Sequence, residues 1–404
     1  MILQLRVFIL NLFAIFAITN IKQSHIDFIY NIIKMTLLER YFAELMQCTG
    51  MVYLTIAMFV ALIKSPSIPE YKPYRLAKKL LAGSFASMAL NLFLWCIFTS
   101  GNWNVFNYNI AVADIILFFL EYMLLCNSYC ILLNKDYATK KRIITDLSLW
   151  VITSALSIGA LLKPLSEWRS VMLLVALAML IAYIFKFIIT FYQQYRHNKT
   201  MLDNYFSDDM QRFARWISRS LIMCIISWFI AIMSMFGNIY FNWIYQFYVI
   251  TLNIYIAISF INYAARYGDL AKADSELFYI NGEPKPAESA SDSVERITLE
   301  TKLKQWLDTK KYLTEQFTLE DLAIAIGTNK NYLSYHINEK YGVSFSSWIS
   351  DMRIDEAKRL MITNPERKLE NIAYSVGFSS ASYFSKVFSL HEGISPARWR
   401  KDNM

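Results

Sequence analysis

Between residues 45 and 262 the chain passes through one long apolar stretch after another, which narrows its possible architectures more than any other feature. Lipid offers a backbone no hydrogen bonds, so a stretch that crosses it must be a helix of about 20 mostly apolar residues. Seven stretches qualify, at about 45–63, 80–99, 109–133, 147–163, 170–191, 217–236 and 239–262. The third is long and the fourth short for a bilayer, which predicts tilt. Composition agrees: 56% of the 404 residues are hydrophobic and 18% charged, with a mean hydropathy of +0.31. A soluble domain carries about a quarter charged residues. Past Gly268 the composition turns ordinary, which sets the main domain boundary.

Basic residues sit in alternate loops. Lys64, Lys72, Arg75, Lys78 and Lys79 fill the first, and Lys135, Lys140, Lys141 and Arg142 the third. Arg196, Lys199, Arg212 and Arg215 fill the fifth, and Arg266 and Lys272 follow the last stretch. Of the loops between, 100–104 and 237–238 carry no charge, and the fourth has Arg169 with Lys163 at its edge. Short basic loops stay in the cytoplasm, so the expected topology is N-terminus out and C-terminus in. Residues 1–36 leave three readings open. The apolar run 7–18 after Arg6 is a leader (though no small-x-small cleavage site follows), an eighth span, or sequence upstream of a true start at Met35. Seven spans is the working expectation.

Little in the chain points to chemistry. The five cysteines, Cys48, Cys96, Cys126, Cys130 and Cys224, lie in apolar stretches, where thiols pack as small hydrophobes. His25, His197, His336 and His391 are scattered, and no metal set, nucleophile triad or phosphate loop appears. The expectation is no enzyme, cofactor or metal. Three charges fall well inside the apolar stretches, away from their ends: Asp114, Glu121 and Lys186. Asp114 and Glu121, seven apart, share one helix face, and Lys186 is their candidate counter-ion. Intramembrane charge marks either a sensing site or an ion pair locking helices together.

After a Gly-, Pro- and Ser-rich stretch over 267–297, expected as a flexible linker, the chain repeats itself. "LEDLAIAIGTNKNYLSYHINEKYGVSFSSW" aligns with "LENIAYSVGFSSASYFSKVFSLHEGISPARW": Leu319 with Leu369, Ala323 with Ala373, Gly327 with Gly377, Tyr332 with Tyr383, Trp348 with Trp399. Each copy predicts a helix-turn-helix. Thr318 caps a helix ending at Ile326, left-handed Gly327 stops it, and Asn329 opens a second helix with Leu333 and Ile337 inward. The second copy predicts helices over 369–376 and 380–390 around Gly377, with Phe384, Val387 and Phe388 inward. A connecting helix over 344–362 ends at Asn364–Pro365.

"IAYSVGFSSASYFSKVFSLHEGISPARWR" and "MRIDEAKRLM" resemble the signature and linker helix of the AraC/XylS family of bacterial transcription regulators, over about residues 303–401. The resemblance implies two recognition helices in adjacent major-groove segments and is silent on the apolar half. This chain departs from the family at Tyr335, Ile337 and Asn338, where Arg, Phe and Lys are common, and at Lys386 and Ser389, where Arg and Lys are common. Fewer basic contacts imply weaker DNA binding per domain, which membrane confinement or homodimerisation would offset. Candidate DNA contacts are Asn329, Lys330, Asn331, Ser334 and Tyr335 in the first copy, and Ser380, Ser382 and Lys386 in the second. Arg398, Arg400 and Lys401 are candidate phosphate contacts. Tyr332 and Tyr383 read as core.

The expected whole is all-α: an uncertain segment 1–36, a multi-pass helical membrane domain 37–266, the linker 267–297, and a double helix-turn-helix domain 298–404. The expected function is a membrane-bound one-component transcription regulator at the bacterial inner membrane. Its partners are double-stranded DNA, the bilayer and an unknown small or lipophilic ligand or membrane protein. The alternative is a transporter-like protein with a regulatory DNA-binding tail, against which stands the lack of an inverted repeat or a Gly/Pro-broken pair of spans.

Overall fold

The computed structural model describes residues 37–99, 107–162, 167–208, 214–236, 239–276 and 290–404. Residues 1–36 and loop 100–104 lie outside them. The described elements are helical, apart from an isolated bridge between Phe206 and Thr318. The apolar half holds α1 (Leu37–Leu62), α2 (Lys72–Thr99), α3 (Tyr108–Leu133), α4 (Lys140–Gly159), α5 (Arg169–Tyr205), α6 (Arg215–Phe236) and α7 (Ile239–Glu276). Six are long and apolar enough to cross a membrane, over Tyr41–Leu62, Pro69–Phe98, Tyr108–Leu133, Lys140–Gly159, Arg169–Tyr205 and Phe241–Ala265. The expected span at 217–236 lies in α6, where many side chains fall outside the described residues.

Several helices start earlier than the apolar runs do, for a local reason. Basic residues that read as loop instead cap neighbouring chain ends. Lys78 Nζ donates to the Ile63 carbonyl at 2.7 Å, and Arg75 donates to the carbonyls of Pro66 and Ile68 at 2.5 and 3.0 Å. The C-terminal carbonyls of a helix lack intrahelical partners, and these cations supply one. α4 begins at Lys140 because Thr139 accepts the Arg142 amide as its N-cap.

The surface of the bundle suits hydrocarbon. Leu174 and Phe185 are 65% and 63% exposed, and Phe59 and Ile189 are similar. Polar groups turn inward and pair across helices: Asn253 donates to Tyr53 Oη at 3.2 Å, and Ser220 Oγ to Tyr129 Oη at 2.9 Å. Asp114 accepts from Asn91 and Trp95 at 2.9 and 2.7 Å, which joins α2 to α3. Glu121 is half-buried and makes no hydrogen bond or ion pair among the described residues. The expected counter-ion assignment is corrected here: Lys186 pairs with Asp146 at 3.0 Å, not with Asp114 or Glu121. Asp146 was missed because it precedes the apolar run taken as the fourth span. Its burial depends on α4 starting seven residues earlier, at Lys140.

The polar half holds α8 (Ala290–Asp308), α9 (Leu319–Ile326), α10 (Lys330–Tyr341), α11 (Phe345–Thr363), α12 (Leu369–Ser375), α13 (Ala381–Glu392) and α14 (Pro396–Asp402). α7 and α8 reach into the expected linker from either side, and residues 277–289 of it lie outside the described residues. Thr318 forms a capping box with Asp321, and Gly327 closes α9 in the left-handed conformation at φ 65°. Ser344, Ser380 and Ser395 cap α11, α13 and α14.

The two helix pairs are packed differently. The second has its own core: Ile354, Ala357, Met361, Ile372, Val376, Phe378, Phe384 and Phe388. The first does not. Leu319, Leu322, Leu333, Ile337, Phe345 and Ile349 belong to one buried cluster that continues through Trp306 and Phe317 to Met201, Leu202, Tyr205 and Phe206 of the α5 end. α5 is 37 residues, about 55 Å, against a hydrocarbon thickness of about 30 Å. Its last turns therefore have length to spare for the polar half.

Candidate nucleic-acid interface

Each helix pair positions its second helix by a side-chain cap. Asn329 Oδ1 accepts the amides of Asn331 and Tyr332 at 2.8 and 3.4 Å, and Ser380 Oγ accepts the Tyr383 amide at 3.2 Å. Two sequence-predicted contacts thus have their oxygens engaged in starting α10 and α13, which leaves Asn329 its amide nitrogen. Leu333 and Ile337 turn α10 onto its core, and Phe384 and Phe388 do the same for α13. Tyr332 and Tyr383 pack against those cores.

The outward faces differ. On α13, Ser382, Ser385 and Lys386 are exposed in one stripe, with Lys401 and Arg398 exposed on α14. Arg398 Nε lies 3.6 Å from Asp402. On α10, Asn329 is exposed while Lys330, Asn331 and Tyr335 are half-buried, and Tyr335 Oη donates to Glu339 at 3.2 Å. Two predicted contacts are not available in this arrangement. Ser334 is 0% exposed, beside Asn338, which donates to the Ser334 carbonyl at 2.7 Å and to Asn204 of α5 at 3.4 Å. Arg400 is folded back, donating to the Pro365 carbonyl at 3.3 Å, with its other nitrogens buried.

Sequence reasoning missed the residues that join the halves. Arg353 of α11 is fully buried. Its Nη1 donates to Asp208 at 3.2 Å, Nη2 to Ser207 Oγ at 3.2 Å and the Thr314 carbonyl at 2.8 Å, and Nε to the Tyr312 carbonyl at 2.8 Å. Asp208 accepts the Gln316 amide, the Ser207 amide donates to the Phe317 carbonyl at 3.1 Å, and Tyr205 Oη donates to Glu320 at 2.9 Å. Burial pushes the Asp208 carboxyl up, and Arg353 and the Gln316 amide pull it back. A faint signal was present: Arg353 lies on the apolar stripe of α11, four residues after Ile349 and four before Ala357. α13, by contrast, is held inside the second core, against α11, α12 and α14, with Lys358 of α11 pairing to Glu392 at 2.9 Å.

Residues 322–402 match a helix-turn-helix domain family. An uncharacterized HTH-type transcriptional regulator of Bacillus subtilis, YisR, is 35% identical over 92 residues, 23% of this chain and 32% of its own. The HTH-type transcriptional activator RhaR of Klebsiella pneumoniae is 32% identical over 89 residues, 22% of this chain and 31% of its own. The arabinose operon regulatory protein of Escherichia coli is 31% identical over 84 residues, 21% of this chain and 28% of its own. The chain therefore spans under a third of these relatives, and the match is confined to its C-terminal part. No solved structure matches the chain.

Proposed function

Because residues 322–402 form an AraC-type helix-turn-helix domain, we propose that this chain is a membrane-bound one-component transcription regulator. Its apolar bundle senses a signal, and its two helix-turn-helix units read double-stranded DNA at the cytoplasmic face. The join between α5 and α11 carries the reading: a bundle helix that ends inside the core of the first unit can bias that unit without an intermediary. The bilayer is the proposed surroundings, a small or lipophilic molecule or a membrane protein the proposed signal, and a second copy of the chain the proposed partner on DNA.

In this reading α13 is the freer reader, and the flank of α10 holding Ser334 and Asn338 is reserved by α5. Full chain in nanodiscs should bind duplex DNA with a strong salt dependence. If about four phosphates are neutralised, affinity falls roughly a hundredfold between about 50 and 200 mM salt. Lys386→Ala should relax sequence preference, costing about 1–3 kcal/mol on the specific site if the lysine grips a base. Asn329→Ala should instead lower stability by about 1 kcal/mol through loss of the α10 cap. Binding insensitive to salt, or equal losses from Lys386→Ala on specific and random DNA, would count against the assignment.

A reporter fused after Met404 should indicate the cytoplasm, and one placed within residues 100–104 the exterior, from the alternation of basic and bare loops. The inverse pattern would put the domain on the side without DNA.

A further inference from the structure

An open cavity of about 520 Å³ lies where the end of α3, the start of α4 and the middle of α5 converge. The residues that line it are all polar or charged in type: Asn134, Thr139, Lys141, Arg142, Thr145 and Lys186, with Asp136 the single acid among them. Three cations line it against one acid, and because Lys186 is already paired with Asp146 the positive surplus comes from Lys141 and Arg142. Lys186 lies 17 residues into α5, a rise of about 26 Å, so a span beginning at Arg169 places it close to the inner edge of a bilayer.

Two of the cations are fixed by the protein and do not swing free. Lys186 Nζ is held 3.0 Å from Asp146, which also accepts from Asn127 at 3.2 Å. Arg142 donates to the Tyr137 carbonyl at 3.3 Å and stacks over the Tyr137 ring at 4.5 Å. Lys141 makes no ion pair among the described residues and so has its whole charge to offer. Fixed cations beside hydroxyls form a donor set for clustered anionic oxygens, and fixing them beforehand lowers the entropy cost of binding.

We propose that this cavity binds a phosphate-bearing group, presented either by an anionic lipid headgroup or by a small phosphorylated solute. The proposal deepens the sensor reading, since an anion held jointly by Lys141 and Arg142 of α4 and Lys186 of α5 ties α4 to α5, the helix that ends against the DNA-reading domain. The site itself does not depend on that reading.

The test uses the full chain in phosphatidylcholine nanodiscs, with phosphatidic acid added to the bilayer in one arm and glycerol 3-phosphate added to the solution in the other. Binding is read by lipid retention in native mass spectrometry and by thermal shift. Lys141→Ala and Arg142→Ala should each weaken binding about fivefold. Lys140→Ala, in the same first turn of α4 but outside the cavity lining, is the control and should change it little. Retention of phosphatidic acid alone assigns the lipid source, and a shift with glycerol 3-phosphate alone the soluble one. Binding in neither arm overturns the proposal, as does a Lys140→Ala loss equal to the other two, which would mean diffuse surface attraction. DNA binding by the same preparation is scored separately. Its loss with the cavity intact would strike the regulator reading and leave this site standing.

Discussion

The Asp208→Asn chain is expected to lose the join between its two halves while each half stays folded. Arg353 and Asp208 are 0% and 5% exposed, so the pair sits almost without solvent screening. Removing one partner of such a pair costs about 3–5 kcal/mol, because the remaining charge is buried and unanswered. The chain can avoid most of that cost by letting α11 leave α5, which returns the guanidinium to water. Asp208 is the side to change. Arg353 also bonds the Tyr312 and Thr314 carbonyls inside the C-terminal domain, and its removal would orphan them. Hydrogen exchange reads the outcome at the Ser207 and Gln316 amides, whose acceptors lie across the join. Their protection should fall roughly a hundredfold or more, while amides of α12 and α13 keep theirs. DNA affinity of the full chain should rise as the Ser334–Asn338 flank of α10 is uncovered. A fall in affinity would mean that α5 presents the first unit to DNA and does not cover it. Unchanged protection would remove the pair from the join altogether.

The Gly377→Ala chain should lose the packing of its second helix pair. Gly377 has φ 89°, which costs an L-residue about 1–2 kcal/mol. A Cβ there would sit 2.5 Å from the Leu313 carbonyl oxygen and 2.8 Å from its carbon, both backbone atoms that cannot rotate away. Overpacking of this kind adds about 1–3 kcal/mol, for a total of about 2–5 kcal/mol. Gly342 and Gly393 are controls, because both have positive φ but nothing within 4 Å of an added Cβ. Alanine at either should cost only the backbone term. Thermal unfolding of the three variants separates the contributions, and equal losses at all three positions would show that the Leu313 contact is unimportant.

These two residues mark the limit of what the repeat revealed. Aligning the copies made Gly327 and Gly377 equivalents, and both do adopt the left-handed conformation. A Cβ at Gly327, however, would meet nothing nearer than Lys302 Nζ at 4.0 Å. The difference comes from the turn at Lys311–Leu313, which crosses over the second copy. Similarly, the polar residues opening α10 and α13 stood out as candidate base contacts by type and position, and the same properties suit helix caps. Asn329 and Ser380 are caps in the structure, and a sequence cannot say which use a short polar side chain serves.

What the sequence determined by itself was whatever local or periodic physics dictates: helices from apolar length, the cap at Thr318, the stop at Gly327, and the connecting helix ending before Pro365. It also carried the C-terminal domain's kinship, because the repeated pattern of core, turn and cap positions is specific. Tertiary structure decided which charges meet. Lys186 finds Asp146 across 40 positions and Arg353 finds Asp208 across 145, and no periodicity encodes a pairing between separate elements. It also decided that the first helix pair shares its core with the end of α5 while the second keeps its own. A buried arginine on an apolar stripe needs an acid, and only the fold brings the right one to it.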